Sequence, residues 1–378
     1  MREGKSAGRW LLLLMSIIGL VSLSSPAWAG ETEEGNSPSS IAEVAQLAHS
    51  VITAQIEQYY DHYFYYYTAE EYQMMIEDYE GSFGGVGISM TNNEDGNAEV
   101  VTVIDDTPAA QTGIDVGDVI ETVDGENALG WTTDLVASKI RGELGTSVTI
   151  GFRRESGDYY EVTLTRETIV SPSVEGKILE ELPHTAYISL YDFTEQTPDE
   201  FKALFDELAA ECGGIENLVI DLRSNGGGSF WASLNIANFF VPENQLLVRE
   251  KTKDGSVPYR SVNGELSEVK LALLVNEYSA SASEVLAGAL RDEAGAVLIG
   301  TRTFGKGITQ AMVLLSSGSG LRYTNGRYYT PADVDLHGVG LAADIEIPLT
   351  ETETYETYWS TDPTVSKHIQ AALDYFAQ

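Results

Sequence analysis

Residues 217–228 read Asn217-Leu218-Val219-Ile220-Asp221-Leu222-Arg223-Ser224-Asn225-Gly226-Gly227-Gly228, a short run of mostly branched apolar side chains that stops in a polar, glycine-rich loop. A run of that length and type predicts a buried strand over 217–222. Around it the pattern predicts further strands over 186–191, 270–275, 296–300 and 308–315, with helices over 198–210, 231–240 and 282–291 between them. Such alternation predicts an α/β layer with parallel strands. Parallel strands joined by crossover helices end along one edge, where open α/β sheets collect their ligands. Three unusual sequences follow three of the strands: Arg223 to Gly228, Ser279-Ala280-Ser281-Ala282-Ser283-Glu284, and Phe304-Gly305-Lys306-Gly307. The topology therefore predicts a hydroxyl, an amine and bare backbone amides in one place.

Each of these groups has a use in acyl transfer. A serine hydroxyl is a poor nucleophile until a base takes its proton. Lysine serves as that base when burial disfavours its charged form, as in Ser-Lys variants of the catalytic triad. Glycines let the backbone approach a ligand and aim N–H groups at a developing oxyanion, and Ala282 adds an N–H from the start of a helix. Each signal also has a plainer meaning. Serines at 279, 281 and 283 can cap a helix, Lys306 can be a surface lysine, and the glycine triplet can be a loop and no more. Their joint appearance after successive strands favours catalysis.

Three other motif matches lack the structural context they need. Gly300 to Lys306 fits a phosphate-binding loop, but Gly307 replaces the required Ser or Thr and a predicted strand follows where a helix must begin. Gly338-Val339-Gly340-Leu341-Ala342-Ala343 resembles a dinucleotide fingerprint without the strand before it or the helix after it. Gly4-Lys5-Ser6-Ala7-Gly8 matches a nucleophile elbow inside what reads as an export leader.

That leader is residues 1–29. Arg2, Lys5 and Arg9 precede an apolar run from Leu11 to Leu23, and Ala27-Trp28-Ala29 offers a cleavage site. Cleavage makes the protein exported; retention of the run would attach it to a membrane. The 378 residues exceed one ordinary domain. With Lys+Arg 22 against Asp+Glu 58, the formal charge of -36 repels a polyphosphate and argues against nucleic acid as a partner. The single cysteine, Cys212, cannot form an internal disulfide, and its Ala210 to Gly214 setting reads as a helix C-terminus. Over 41–80 apolar and aromatic residues recur at helical intervals, which predicts two helices. Tyr59, Tyr60, Tyr63, Phe64, Tyr65, Tyr66 and Tyr67 then form a packing surface that fits a second subunit. From Phe83 to Arg166 short strands over 86–90, 99–104, 119–123, 147–153 and 160–165, one helix over 133–140 and an Asp124-Gly125 hairpin turn predict a separate, mostly β module.

Together, Asp221 to Gly228, Ser279 to Glu284 and Thr303-Phe304-Gly305-Lys306-Gly307-Ile308-Thr309-Gln310 resemble the carboxyl-terminal processing peptidases, exported serine endopeptidases with a Ser-Lys site. The resemblance implies a multidomain α+β protein: a leader (1–29), an N-terminal helical region (30–80), a PDZ-like domain (81–167), an α/β protease core of the crotonase/ClpP type (168–350) and a C-terminal helical segment (351–378). It makes Ser281 the nucleophile, Lys306 the base and Gln310 the residue orienting the lysine amine. Gly227 and Ala282 become the oxyanion donors, with Gly226 and Gly228 as alternatives to Gly227. Glu284 and Asp292 match acidic family positions and become supporting residues, although helix-end charge and a solvated surface explain them equally. Gly85, Val86, Gly87 and Ile88 become the loop that cradles a terminal carboxylate, and Arg141 a link from that module to the active site or an ordinary exposed cation. The implied partners are proteins with accessible C-terminal tails, a homodimer is compatible with the tyrosine-rich region, and no cofactor or metal is implied. Two other function classes remain: a non-catalytic PDZ scaffold that binds C-termini, and an acyl-thioester enzyme, which the leader disfavours. Ala343 and Pro331-Ala332-Asp333-Val334-Asp335 depart from the family pattern outside the expected chemistry.

Overall fold

The computed structural model describes residues 63–350, apart from 94, 155 and 171, together with residues 366–378. The leader, the earlier part of the 41–80 helical region with Tyr59 and Tyr60, and residues 351–365 lie outside the described residues. Two compact units are distinguished. The smaller contributes residues 63–72 and 311–323, and the larger runs over 73–310 and from 324 onward.

In the smaller unit, strand β1 (Tyr65–Tyr67) pairs antiparallel with the start of β18 (Gly320–Tyr329), with Tyr66 opposite Leu321. A helical reading of these tyrosines is thereby corrected: consecutive aromatic side chains fit the pleated surface of a strand better than a helix. Gly320 sits where a Cβ would lie 2.2 Å from the Tyr72 ring, so the sheet needs glycine there. Helix α1 (Ala69–Glu80) follows, at the end of the region expected to be helical.

The larger unit takes α1 from Gln73 onward and then β2 (Ser82–Gly85), paired antiparallel with β9 (Glu167–Val170); this ribbon ties together both ends of the β module. Inside it lie β3 (Ile88–Asn92), β4 (Ala98–Val103), β5 (Val119–Val123), β6 (Glu126–Asn127), β7 (Ser147–Arg153) and β8 (Tyr159–Thr165), with helix α2 (Thr133–Ile140). The sheet order is β3-β4-β5-β7-β8, antiparallel throughout, so β3 is an edge strand. Asp124 (φ 49°) and Gly125 (φ 78°) make the expected tight turn between β5 and β6. Val100, Ile120, Val136, Val148, Ile150 and Phe152 are fully buried between the sheet and α2. Each such side chain contributes about 1.5–3 kcal/mol of burial free energy, enough in sum to give the module its own core.

The second layer system is an open sheet ordered β10-β11-β12-β15-β16-β19. Its strands are β10 (Val174–Ile178), β11 (Thr185–Leu190), β12 (Asn217–Asp221), β15 (Lys270–Val275), β16 (Val297–Gly300) and β19 (Ile345–Glu346). All neighbours are parallel except β10, which runs against β11. Every residue of β12 is buried, as a parallel strand covered on both faces requires. Helices α3 (Thr197–Cys212), α4 (Phe230–Phe240) and α5 (Ala282–Ala294) cover one face through Phe201, Phe240 and Leu286, packed on Leu218, Ile220 and Leu273. On the other face α6 (Lys367–Phe376) packs Ile369, Ala372 and Phe376 on Tyr187, Val219 and Leu274. Helix α3 ends at Gly213 (φ 75°), with half-buried Cys212 donating to the Gly214 carbonyl at 3.2 Å. Among the described residues no helix is long and apolar enough to cross a membrane.

Strands β13 (Leu246–Thr252) and β14 (Gly255–Arg260) form a hairpin that the pattern reading did not contain, and β13 pairs with the end of β18. Their alternation is interrupted by charges, Arg249-Glu250-Lys251, and by Pro258, which weakens a period-two signal. Strand β17 (Ile308–Leu314), by contrast, lies where the sequence predicts a strand, but it pairs with β18 and is not part of the parallel layer in which the alternation placed it.

Candidate active site

The parallel register brings Asp221, Leu274 and Ile299 level, so the loops after β12, β15 and β16 leave the sheet at the same edge. Hydrogen bonds then lock the first loop to the second. The Asn225 carbonyl accepts the Ala280 N–H at 3.0 Å and the Ser283 hydroxyl at 2.9 Å, and the Ser279 hydroxyl donates to the Leu222 carbonyl at 2.7 Å. Ser279 carries the third loop as well, because its carbonyl accepts the Phe304 N–H at 3.0 Å. Two of the three serines are thus fully buried braces. Ser281, between them, is half-buried and stands at the head of α5 with φ 58° and ψ −113°. A positive φ at a residue with a Cβ costs about 1–3 kcal/mol and persists only where the surroundings impose it.

Gly227 is the part of the glycine loop that touches this serine. A Cβ added there would lie 2.8 Å from the Ala280 carbonyl oxygen and from Ser281 Cβ, and 3.0 Å from the Ala282 nitrogen; its φ is 108°. Its N–H donates to Asn225 Oδ1 at 2.9 Å, while Asn225 Nδ2 donates to the Leu190 carbonyl at 2.8 Å. Gly228 (φ 132°) passes equally close to Phe193 and Asp192, and Gly226 has open space around it. Ala282 opens the first turn of α5, where backbone N–H groups have no partner within the helix.

Glu284 holds the third loop. Its carboxylate is fully buried and takes four donors: the Thr303 hydroxyl (2.6 Å) and Gly305 N–H (2.7 Å) on Oε1, the Lys306 N–H (2.7 Å) and Ser281 N–H (3.0 Å) on Oε2. Burial pushes the Glu284 carboxyl up from the ordinary glutamate range, against the four donors that each pull it down. Lys306 is half-buried in the loop before β17, and Gln310 is half-buried on β17 itself. Glycines 305 (φ 89°) and 307 let this loop pass against residues 336–340: a Cβ on Gly307 would be 2.5 Å from the His337 nitrogen. Asp292 is not part of this constellation. It lies toward the far end of α5, about 16 Å from Ser281 at 1.5 Å rise per residue, where it accepts the Arg291 Nε–H at 3.0 Å and the Ala332 N–H at 2.9 Å.

In the β module, Gly85 ends β2, Val86 is buried, Gly87 has φ 87° and Ile88 opens β3. The Val86 and Gly87 carbonyls point inward, accepting the Ala109 and Ile104 N–H groups at 2.8 and 2.9 Å. A groove of 380 Å³ runs beside β3 and α2 and continues onto Tyr191 and Asp192 of the open-sheet domain. Arg141 caps α2 on its wall. The guanidinium sits 3.9 Å over the Phe83 ring and pairs with Asp78 of α1 at 2.9 Å, so it is a bridge and not a free surface cation.

Residues 184–347 match peptidase family S41, and residues 99–154 match the PDZ domain. A carboxy-terminal-processing protease of Bartonella bacilliformis is 32% identical over 298 residues, which are 78% of this chain and 68% of that protein. The chain belongs to peptidase family S41. A probable CtpA-like serine protease of Staphylococcus haemolyticus is 33% identical over 305 residues, 80% of this S41 chain and 60% of that relative's own length. The solved structure of a putative S41 protease from Bacteroides fragilis shares the fold at 18% identity, with a TM-score of 0.53 over 94% of this chain and 92% of that one.

Two residues of this constellation stand out little in the sequence. Asn225 braces both neighbouring loops, and Thr303 relays between Glu284 and the Leu341 N–H, which it accepts at 2.7 Å. An Asn two residues before a glycine with positive φ is the one available signal for the first, since that geometry invites a side-chain turn. For Thr303 no local signal exists, because its burial and its partners arise only in the folded loop.

Proposed function

We propose that this S41 chain is an exported serine endopeptidase that captures C-terminal tails in its PDZ groove and cleaves them with Ser281 and Lys306 through an acyl-enzyme. The observation that carries the reading is the convergence of the Ser281 and Lys306 backbones on Glu284 Oε2. A neutral Lys306 amine accepts the Ser281 hydroxyl proton as Oγ bonds to the scissile carbonyl carbon, and Gln310 orients the amine. The oxyanion is received by the Ala282 N–H and by Gly227, whose N–H exchanges Asn225 Oδ1 for the new charge. Lys306 returns the proton to the leaving amine as the C–N bond breaks. Water then attacks the ester carbon, giving a proton to Lys306, which passes it to Ser281 Oγ as the acyl C–O bond breaks and the acid is freed.

In this reading residues 81–167 are the PDZ-like module and 168–350 the protease core, with α1 before them and α6 after. Gly85 to Ile88 take the terminal carboxylate, and the tail adds to the open edge of β3. Glu284 positions the loops without touching substrate, and Asp292 has no part in the chemistry. Mass spectrometry of a peptide with an apolar C-terminal tail, incubated with wild type, Ser281→Ala and Lys306→Ala, tests the whole scheme. Cleavage by the wild type alone is expected; cleavage at the wild-type rate by Ser281→Ala would overturn it.

A further inference from the structure

Beneath the glycine loop, on the sheet face covered by α6, lies a buried charge network outside the constellation described above. Arg223, which opens the loop, and Asp221, which ends β12, have side chains only 2% and 6% exposed. The guanidinium grips Asp221 through Nε and Nη2 at 2.9 and 2.5 Å, and Tyr187 donates its hydroxyl to the same carboxylate at 2.8 Å. Arg223 Nη1 faces His368 Nδ1, in the first turn of α6, at 3.2 Å, and His368 Nε2 faces the Ile347 carbonyl at 2.8 Å. These contacts fix the imidazole's state. Guanidinium is donor only, so Nδ1 must accept; the carbonyl is acceptor only, so Nε2 must carry the proton. A neutral Nε2–H tautomer satisfies both, and His368 is itself 1% exposed.

His368 gives the buried guanidinium a second hold, at Nη1, beside its grip on Asp221. Arg223 stands three residues before Gly226 in a loop that departs from the strand through Ser224 (φ 61°), so the orientation of Arg223 is passed to the glycines through a short, bent segment. We propose that His368 is a positioning residue of the active site: from the C-terminal helix it holds Arg223, and through Arg223 the loop that presents Gly227 to Ser281. The proposal rests on the peptidase reading above and adds α6 to the parts that reading needs.

Two substitutions separate this role from simple docking of the helix. His368→Asn places its amide oxygen near the Nδ1 position and can still accept from Arg223. His368→Gln places its amide nitrogen near the Nε2 position, keeps the bond to Ile347 and loses the acceptor. With the full chain and a tail peptide, His368→Gln is expected to lower kcat about tenfold with KM little changed, as small misplacement of catalytic groups does, while both variants lower the thermal midpoint because each leaves one buried partner of the imidazole unsatisfied. His368→Asn is expected to recover most of the loss in kcat. Arg223→Lys, which cannot hold Asp221 bidentately and also reach His368, lowers kcat too, and combined with His368→Gln it should lose little more than either alone. Equal kcat values for the Gln and Asn variants, or multiplicative losses in the double variant, would overturn the proposal while leaving the peptidase reading intact. Absence of cleavage by the wild type would instead remove that reading, and this proposal with it.

Discussion

Ser281 and Lys306 donate their backbone N–H groups to one oxygen, Glu284 Oε2, at 3.0 and 2.7 Å. Their main chains are therefore at most two hydrogen-bond lengths apart, although they belong to loops after different strands. A buried carboxylate with all its acceptor positions taken by donors fixes the distance between these two backbones, those of the proposed nucleophile and base, more firmly than packing of two flexible side chains could.

Glu284→Gln keeps the shape and removes that grip. The amide nitrogen cannot accept, so at least one pair of donors is left facing another donor in a buried site, at a cost of about 1–3 kcal/mol. A lower thermal midpoint and a loss of kcat of about 100-fold are expected, with KM less affected. Calorimetry and steady-state kinetics read both.

The same carboxyl predicts a pH dependence with opposite signs for activity and stability. Burial raises its folded-state pKa above that of an exposed glutamate, so on acidification Glu284 takes a proton before surface carboxylates do, and the proton displaces an N–H donor. Activity should fall there. Stability moves the other way for this group, because a folded state that binds the proton more tightly than the unfolded chain gains from acid and loses as pH rises through the folded pKa. Comparing kcat and urea unfolding of wild type and Glu284→Gln between neutral and mildly acid pH isolates both effects, since the variant lacks the titrating group.

The three serines of the 279–283 run should separate cleanly. Ser279→Ala and Ser283→Ala each delete a buried donor to a carbonyl of the first loop and should cost about 1–3 kcal/mol of stability. Ser281→Ala should abolish turnover at nearly unchanged stability. Ser281→Gly should go further and stabilise the fold by about 1 kcal/mol, because glycine tolerates φ 58° without strain. Thermal unfolding alongside turnover distinguishes braces from nucleophile.

Much of this architecture was legible in the chain. The helices over 133–140 and 282 onward, the strands 147–153 and 270–275, and the Asp124-Gly125 turn follow from period and turn chemistry that act within a few residues. Position of the three loops followed from the parallel alternation alone. What escaped was set by partners distant in sequence. Strand β1 exists because β18 is there to pair with it, and the β13–β14 hairpin carries too many charges for its alternation to show. The burial of Glu284 and the acceptor role of His368 depend on groups that only folding brings near, so no local pattern encodes them.

The glycine loop offers a positional test. Gly227→Ala would force a methyl group within 2.8 Å of Ser281 Cβ at a φ of 108°, whereas Gly226→Ala meets nothing within 4 Å. The first should lose activity by more than about 100-fold and destabilise the protein by several kcal/mol, as overpacking and backbone strain combine. The second should leave the thermal midpoint close to wild type. Similar midpoints for both would mean that Gly227 does not press on the serine in solution.

Arg141 tests whether groove and reaction are joined. Its pair with Asp78 is partly exposed and is worth at most about 1 kcal/mol by itself, so Arg141→Ala should hardly change stability. The guanidinium nevertheless lies over Phe83 and lines the groove along β3, and removing it reshapes the wall that a bound tail would meet. The expected result is a several-fold rise in KM for peptides with a free apolar C-terminus and no rise for the same peptides with an amidated C-terminus. An equal rise for both would place Arg141 outside tail recognition, and a fall in kcat for both would make it a coupling residue between groove and active site.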